Sequence, residues 1–381
     1  MGLSKIMISN SNKIQCAIFG AYGYSGQELL RSLLLHPNID KVFIVQNQRT
    51  ESVQSFLPEN NLNLEKIISL CHEDFKTRIN QFTLDLLFLA TPAEVSLELV
   101  PELFNLFQNK IKIIDLSGVF RLHNPELYPQ WYKLNHTKNS LPFLNSKTYG
   151  LIPFANVNEL QTSALISNPG CYATAILLAL IPILKNKIID PTTIVIDAKS
   201  GTSGAGRKAA ENLLFNEVDH ECLPYKIASH QHFPEICEYA NKFSNCEIDP
   251  IFSTSLLPTR RGIIAGIYGK INSEHFTNNQ IVNNQNIEML IKEAYISGFK
   301  DYKLVKFGPA SDHQSTVRLS LKKVVGSART HITYKVDKTK IYIYSTIDNL
   351  MKGAATQAIE NMNQIFGWDI ELGLMQREGV L

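Results

Sequence analysis

Ile14-Gln15-Cys16-Ala17-Ile18-Phe19 runs without a break into Gly20-Ala21-Tyr22-Gly23-Tyr24-Ser25-Gly26, a junction whose two sides have different periodicities. The first six residues are a short apolar run of strand type. From Gln27 to Leu35 the apolar residues recur at helical spacing, with Leu29, Leu30, Leu33 and Leu34 on the inward side. Strand, glycine turn and helix are the opening pieces of a βαβ unit. Gly20 permits the tight turn, and a later glycine without Cβ lets a pyrophosphate approach the backbone at a helix N-terminus. The spacing is G-x-x-G-x-x-G rather than G-x-G-x-x-G, and alone it fits a ligand-free glycine turn equally well. The strand before it and the helix after it favour a dinucleotide site. Gly20, Tyr22, Gly23, Tyr24, Ser25 and Gly26 are its candidate contacts.

The second strand, Val42 to Val45, ends in Gln46-Asn47-Gln48-Arg49-Thr50. A site built for NAD carries an acid near here to hold the ribose 2′-OH. The first acid is Glu51, and Arg49 suits a 2′-phosphate, so the reading favours NADP over NAD; a solvated loop arginine is the alternative. Asp85 to Ala90 and Ile111 to Leu116 are apolar throughout, as parallel strands covered by helices on both faces must be. Ligands bind outside the carboxyl ends of such strands. Arg121 lies just past the second of them and is placed to hold an anion.

A chain of 381 residues with 44% hydrophobic content suits two domains. The net charge of +2, without a dense Lys/Arg block, gives nucleic-acid or membrane-surface binding no support. No apolar run approaches the roughly 18 residues of a spanning helix. Met1 to Lys13 lacks the apolar segment of a secretory signal and reads as a short frayed extension. The six cysteines have neither metal-ligand nor disulfide-framework spacing, so free thiols in a reducing cytoplasm are expected, with no metal.

Asn168-Pro169-Gly170-Cys171-Tyr172-Ala173-Thr174-Ala175 holds the chemistry. Cys171 follows a Pro-Gly turn and opens an apolar run, Ile176 to Ile181, that reads as a helix. Unpaired N–H groups and the helix dipole favour a thiolate there, so its pKa is expected to fall. A buried, inert cysteine is the plain alternative. Ile194 to Ala198 is a further strand, and Lys199 to Lys208 a glycine/serine run whose N–H groups and Arg207 can face a phosphate or carboxylate; a linker has the same composition. In His230-Gln231-His232-Phe233-Pro234-Glu235, extended backbone puts both histidines on one side, with Pro234 and Glu235 suiting the first turn of a helix. Zinc lacks a matching ligand pair elsewhere. Beside a helix-start cysteine, a Cys/His nucleophile–base arrangement is the better reading.

Period-two alternation from Phe252 to Lys270, at Ser315 to Leu321 and at Lys340 to Tyr344 predicts a mostly antiparallel sheet with one open face, a common subunit interface. Asn278 to Asn286 reads as a connection into a helix over 287–297. Asp348 to Ile359 reads as a terminal helix entered through a polar, glycine-containing turn, packed either on the core at large or back on the first domain.

In this order, Gly20 to Gly26, Asp115 to Arg121, Tyr149-Gly150-Leu151, Asn168 to Thr174, Ser203 to Arg207, His230 to Ile236 and Asp348 to Ala355 resemble the N-acetyl-γ-glutamyl-phosphate reductase family, relatives of aspartate-semialdehyde dehydrogenase. The resemblance implies an α/β chain: a Rossmann-type NADP domain over 13–170, completed by 346–381, and an α+β catalytic and dimerisation domain over 171–345. It implies Cys171 as nucleophile, His230, His232 and Glu235 as the substrate and acid–base group, and Arg121, Arg207 and Arg261 as holders of phosphate or carboxylate. Ser203, Gly204 and Asn349 join the cofactor contacts. It further implies a small acyl-phosphate substrate and a homo-oligomer, dimer or tetramer. Three departures stand out: Thr254-Ser255-Leu256 replaces a Pro-His-Leu found in many relatives, Ile152-Pro153-Phe154 lacks a common acid, and Tyr22 takes a position where small residues are frequent. Aspartate-semialdehyde dehydrogenase, a cofactor-free cysteine acyltransferase or hydrolase, and a non-catalytic nucleotide sensor are the rival readings.

Overall fold

The structure is a computed structural model, and it describes residues 13–46, 57, 62–277, 280–281 and 284–374. Arg49, Glu51, the N-terminal extension before Lys13, part of the 278–286 connection and the tail beyond Leu374 lie outside the described residues. Strand β1 (Ile14–Phe19) leads through the glycine turn into helix α1 (Tyr24–Leu35) and then β2 (Ile39–Gln46). β3 (Ile67–Cys71), β4 (Leu86–Leu89), helix α2 (Ala93–Leu106), β5 (Lys112–Asp115), β6 (Thr148–Tyr149) and β7 (Leu165–Ser167) follow. The strands form one sheet of order β3-β2-β1-β4-β5-β7-β6, and every pairing in it is parallel. All four residues of β4 are buried, as strands covered on both faces must be. The order reverses between β1 and β4, and a doubly wound sheet opens its ligand crevice at that switch point.

Helix α3 (Cys171–Lys185) is apolar on every side, and Tyr172 through Leu184 are all buried, so it runs through the centre of the molecule. Beyond it, β8 (Val195–Gly201), β9 (Leu223–Pro224), helix α4 (His232–Ser244), β10 (Ile251–Leu257), β11 (Ile263–Lys270), helix α5 (Asn284–Gly298), β12 (Val305–Pro309), β13 (Thr330–Asp337) and β14 (Lys340–Ile347) complete the second half. Its sheet has the order β12-β13-β14-β11-β8-β10-β9. The pairs β12–β13 and β8–β10 are parallel and the other four antiparallel. Along β11 and β14, Ile267, Ile341 and Ile343 face the core while Tyr268, Tyr342 and Tyr344 are half-exposed on the other face. A π-turn (Met351–Ala355) then opens helix α6 (Thr356–Ile365), which is buried along its whole length and packs against α1 in the first half.

One predicted strand is corrected. Ser315–Leu319 is a short helix and Leu321–Lys323 a single 3-10 turn. The alternation counted Arg318 as an outward polar residue, but it points inward: Nε donates to Thr333 Oγ1 at 3.2 Å, and Nη2 to the Pro309 carbonyl and to Asp312 Oδ1, both at 2.8 Å. A buried arginine paired through Nε and Nη2 breaks the in–out code on which strand reading rests.

Candidate active site

The glycine turn is shaped by close approach. Gly20 has φ +82°, and a Cβ on it would lie 2.4 Å from the Ala90 carbonyl oxygen. A Cβ on Gly26 would lie 2.2 Å from the Gly20 oxygen, so strand and helix meet backbone to backbone. Gly23, by contrast, has ordinary contact distances around it and forms the N-cap of α1, where no side chain caps the helix. The first N–H groups of α1 are therefore left for an external acceptor. The turn opens on a cleft of about 670 Å³ whose lining includes Gly23, Tyr24, Ser25, Ser117, Arg121, Cys171, Ser203, Gly204, His232 and Asn349. This volume lies within the range of cofactor sites, and its wall joins the ends of β4 and β5 to loops of the second half. Backbone N–H donors at an uncapped helix start fit a pyrophosphate.

Cys171 is the first residue of α3 and is half-buried. It lines that cleft and also a second one, of about 500 Å³, shared with Tyr172, Tyr225, Lys226, His230 and His232. The thiol thus stands where the two spaces meet. Burial pushes it up to about 11, against the Arg121 guanidinium and the Tyr172 N–H, which act the other way. The helix start has the sign expected from sequence; desolvation outweighs it, and the resting group is a thiol.

Arg121 is buried and fixed by three elements. Nε donates to the Asn168 carbonyl at 2.9 Å and Nη2 to the Leu116 carbonyl at 3.0 Å. Nη1 lies 3.2 Å from His232 Nε2 and 3.5 Å from Glu235 Oε2. Because a guanidinium only donates, His232 Nε2 is the acceptor and the neutral ring carries its proton on Nδ1. The His232 ring also lies against the residue before the thiol: a Cβ on Gly170 would meet Nε2 at 2.4 Å. Burial first, then His230 and Arg121, hold His232 well below the usual histidine range. Burial lowers His230 too, to about 3, and its Nδ1 accepts the His232 N–H at 3.1 Å. Both imidazoles are neutral, and neutral imidazole is the form that takes a proton.

Glu235 is fully buried, and Oε1 accepts Tyr149 Oη and the Gly170 N–H, each at 2.7 Å. Its carboxylate therefore grips the backbone turn that carries Cys171. Arg207 is exposed and donates to the Tyr22 carbonyl at 2.9 Å, tying the glycine/serine loop to the glycine turn. Asn349 Nδ2 donates to Ser203 Oγ at 3.0 Å and Oδ1 accepts the Gly262 N–H at 2.8 Å, which holds that loop over the cleft. Arg261 is not brought to Cys171. It makes ion pairs of 2.9 Å with Glu28 and 2.8 Å with Asp348, joining α1 to the second half. Sequence reasoning gave Tyr149 no role beyond its place in the Tyr149-Gly150-Leu151 motif and missed Tyr225. Tyr225 Oη donates to Tyr172 Oη at 3.0 Å, and its backbone pairs with Thr254, one of the departures noted above. Among the described residues no group of three or more His, Cys, Asp or Glu side chains is placed to hold a metal ion. No helix among them is long and apolar enough to cross a membrane.

A parallel doubly wound sheet with a thiol at its crevice matches known families. The family model described as semialdehyde dehydrogenase, NAD binding domain, matches residues 15–166, and that described as semialdehyde dehydrogenase, dimerisation domain, matches residues 171–349. The chain is similar in fold to aspartate semialdehyde dehydrogenase II from Vibrio cholerae complexed with ASA, with a TM-score of 0.64 and 16% identity, covering 93% of this chain and 98% of that one. It is 38% identical over 366 residues to N-acetyl-gamma-glutamyl-phosphate reductase of Campylobacter jejuni subsp. doylei, covering 95% of this chain and 98% of that protein. To the protein of the same name from Geobacillus sp. it is 39% identical over 367 residues, covering 94% and 97%. The chain belongs to the N-acetyl-gamma-glutamyl-phosphate reductase family, whose members are oxidoreductases with an NAD(P)-binding domain and a dimerisation domain.

Proposed function

We propose that the protein reduces N-acetyl-γ-glutamyl phosphate to N-acetylglutamate 5-semialdehyde and phosphate in arginine biosynthesis, with NADPH as reductant. The carrying observation is that Cys171, at the start of a buried helix, lines one cleft with the glycine turn, neutral His232 and the Arg121 guanidinium that contacts it. As the sulfur attacks the acyl carbon, Arg121 Nη1 moves its hydrogen bond from His232 Nε2 to the substrate, the freed Nε2 takes the thiol proton, the C–O bond to phosphate breaks, and a thioester remains on Cys171. NADPH, held by the uncapped N-terminus of α1 and the turn at Gly20 to Gly26, supplies a hydride when bound. The thiohemiacetal on Cys171 then expels the aldehyde as the C–S bond breaks, and His232 returns its proton to sulfur. Arg121 faces the acyl phosphate with a fixed positive charge, and Glu235 orients the turn through Gly170. Arg261, committed to two carboxylates, is assigned to joining the halves rather than to substrate.

The domain division at 170/171, a homodimer or homotetramer built on the open face of the second sheet, and a cytoplasmic location belong to the same reading. So does the preference for NADP, which rests on Arg49 in the sequence. Aspartate-semialdehyde dehydrogenase is the weaker choice, since likeness to it here is a shared fold at 16% identity. A cofactor-free acyltransferase leaves the glycine turn without a purpose. The deciding experiment is phosphate-dependent reduction of NADP by N-acetylglutamate semialdehyde, run beside aspartate semialdehyde and beside NAD, with and without thiol alkylation. Turnover of the acetylated substrate, lost on alkylation and in Cys171→Ser while NADPH still binds, is the expected result. Turnover that survives in Cys171→Ser removes the covalent route.

A further inference from the structure

Lys352 and Glu360 lie deep in the C-terminal segment with no exposed side-chain surface at all. Lys352 Nζ donates to both carboxylate oxygens of Glu360, at 2.7 and 2.8 Å, and also to Tyr302 Oη, which in turn donates to Glu360 Oε2 at 2.5 Å. Burial lowers the lysine and raises the glutamate, and each offsets the other. A fully buried ion pair is a weak source of stability, because desolvation cancels most of the attraction. Its position suggests another use. Lys352 sits in the π-turn, whose widened loop is closed by Gly353 N–H to the Asp348 carbonyl and Ala355 N–H to the Leu350 carbonyl, both at 2.9 Å.

That turn is the wall of the nucleophile. A Cβ on Gly353 would lie 2.7 Å from Cys171 Cβ and 3.2 Å from its Cα, so the backbone of the turn rests directly on the thiol residue. One residue on, the Ala354 carbonyl accepts Asn168 Nδ2 at 3.2 Å, and Asn168 Oδ1 accepts Asn361 Nδ2 at 3.1 Å. The π-turn therefore touches the Asn168–Cys171 turn at two points, while Lys352, the residue just before Gly353, is tied back to α6. Single-turn π segments inside helices occur often at functional sites.

We infer that Lys352 and Glu360 are positioning residues, locking the π-turn so that its Gly353 backbone holds the Cys171 sulfur in register with His232 and the cofactor cleft. The inference rests on Cys171 being the reacting thiol. The test replaces the pair and its phenol together, as Lys352→Met/Glu360→Leu/Tyr302→Phe, so that no buried polar atom is orphaned. Melting temperature, NADPH affinity, kcat and the site-resolved alkylation rate of Cys171 are measured. The expected result is a folded variant with NADPH affinity within about threefold, kcat reduced about 30-fold or more, and Cys171 alkylation changed at least about fivefold. A folded variant with wild-type kcat and alkylation overturns the inference. Should the triple variant fail to fold, Lys352→Met/Glu360→Gln decides, because it removes the ion pair and leaves Tyr302 Oη an acceptor: altered Cys171 alkylation with reduced kcat supports the lock, and unchanged values overturn it. Alkylation needs no substrate, so this test fails separately from the assay of N-acetylglutamate semialdehyde.

Discussion

At the scale of single residues, the thiol is governed by opposing effects. The helix start and Arg121 favour the anion, while burial disfavours it and wins, leaving the group near 11. Removing Arg121's charge takes away a force that lowers the value. Arg121→Met is therefore expected to move the midpoint of Cys171 alkylation to still higher pH, read by mass spectrometry of the labelled peptide across a pH series. A midpoint that stays put or falls contradicts this electrostatic account. The two histidines divide by geometry: His232 lies against Gly170 and Arg121, whereas His230 faces Tyr172 and Tyr225. His232→Ala is expected to lower kcat by about 10²–10⁴, the usual worth of general acid–base help, with NADPH affinity nearly intact. His230→Ala should be milder in kcat; the reverse ranking exchanges their roles.

At the scale of elements, the site depends on backbones meeting without side chains between them. Gly26 has no need of unusual dihedrals; it is required because any Cβ would collide with the Gly20 carbonyl. Gly26→Ala must push α1 away from β1, costing about 1–3 kcal/mol as an overpacked contact and displacing the N–H groups aimed at the cofactor. Urea denaturation and an NADPH fluorescence titration should show both losses together, with at least tenfold weaker binding. Tight NADPH binding by Gly26→Ala would mean that the turn is not the phosphate cradle. The strand–turn–helix unit was readable in sequence because all its determinants lie within one short stretch. The segment Ser315–Leu321 misled because its short alternation was produced by Arg318, whose partners Thr333 and Pro309 are brought to it only by the fold.

At the scale of the whole molecule, several histidines are buried in the neutral state. His36 has no exposed surface; its Nε2 pairs with Asn363 Oδ1 at 3.0 Å while Nδ1 accepts the Asn38 N–H at 3.2 Å. Protonating Nδ1 would break the second bond. Burial lowers both His36 and His331 from 6.5 to about 4. Between these values the unfolded chain binds more protons than the folded one, so stability is full above about pH 6.5 and falls as pH drops toward 4. Melting temperature measured across that window should decline on acidification, and His331→Phe should flatten the decline. A melting temperature that is level from pH 7 to 4 would contradict neutral burial. Tyr268, Tyr342 and Tyr344 stay half-exposed on the outer face of the second sheet.

What the chain's order of residues settled by itself was local: the glycine turn between strand and helix, the cysteine at a helix start after Asn-Pro-Gly, and the His-x-His-x-x-Glu run, each specified by neighbours a few positions away. Tertiary structure alone decided what those groups experience. It set burial against the helix dipole at Cys171, turned Glu235 onto the Gly170 N–H, committed Arg261 to Glu28 and Asp348, and laid Gly353 against the thiol. The reason is distance along the chain. Asn361 meets Asn168 across 193 positions, and no periodicity or spacing rule reaches that far, whereas packing two sheets around one buried helix brings such groups within a hydrogen bond of each other.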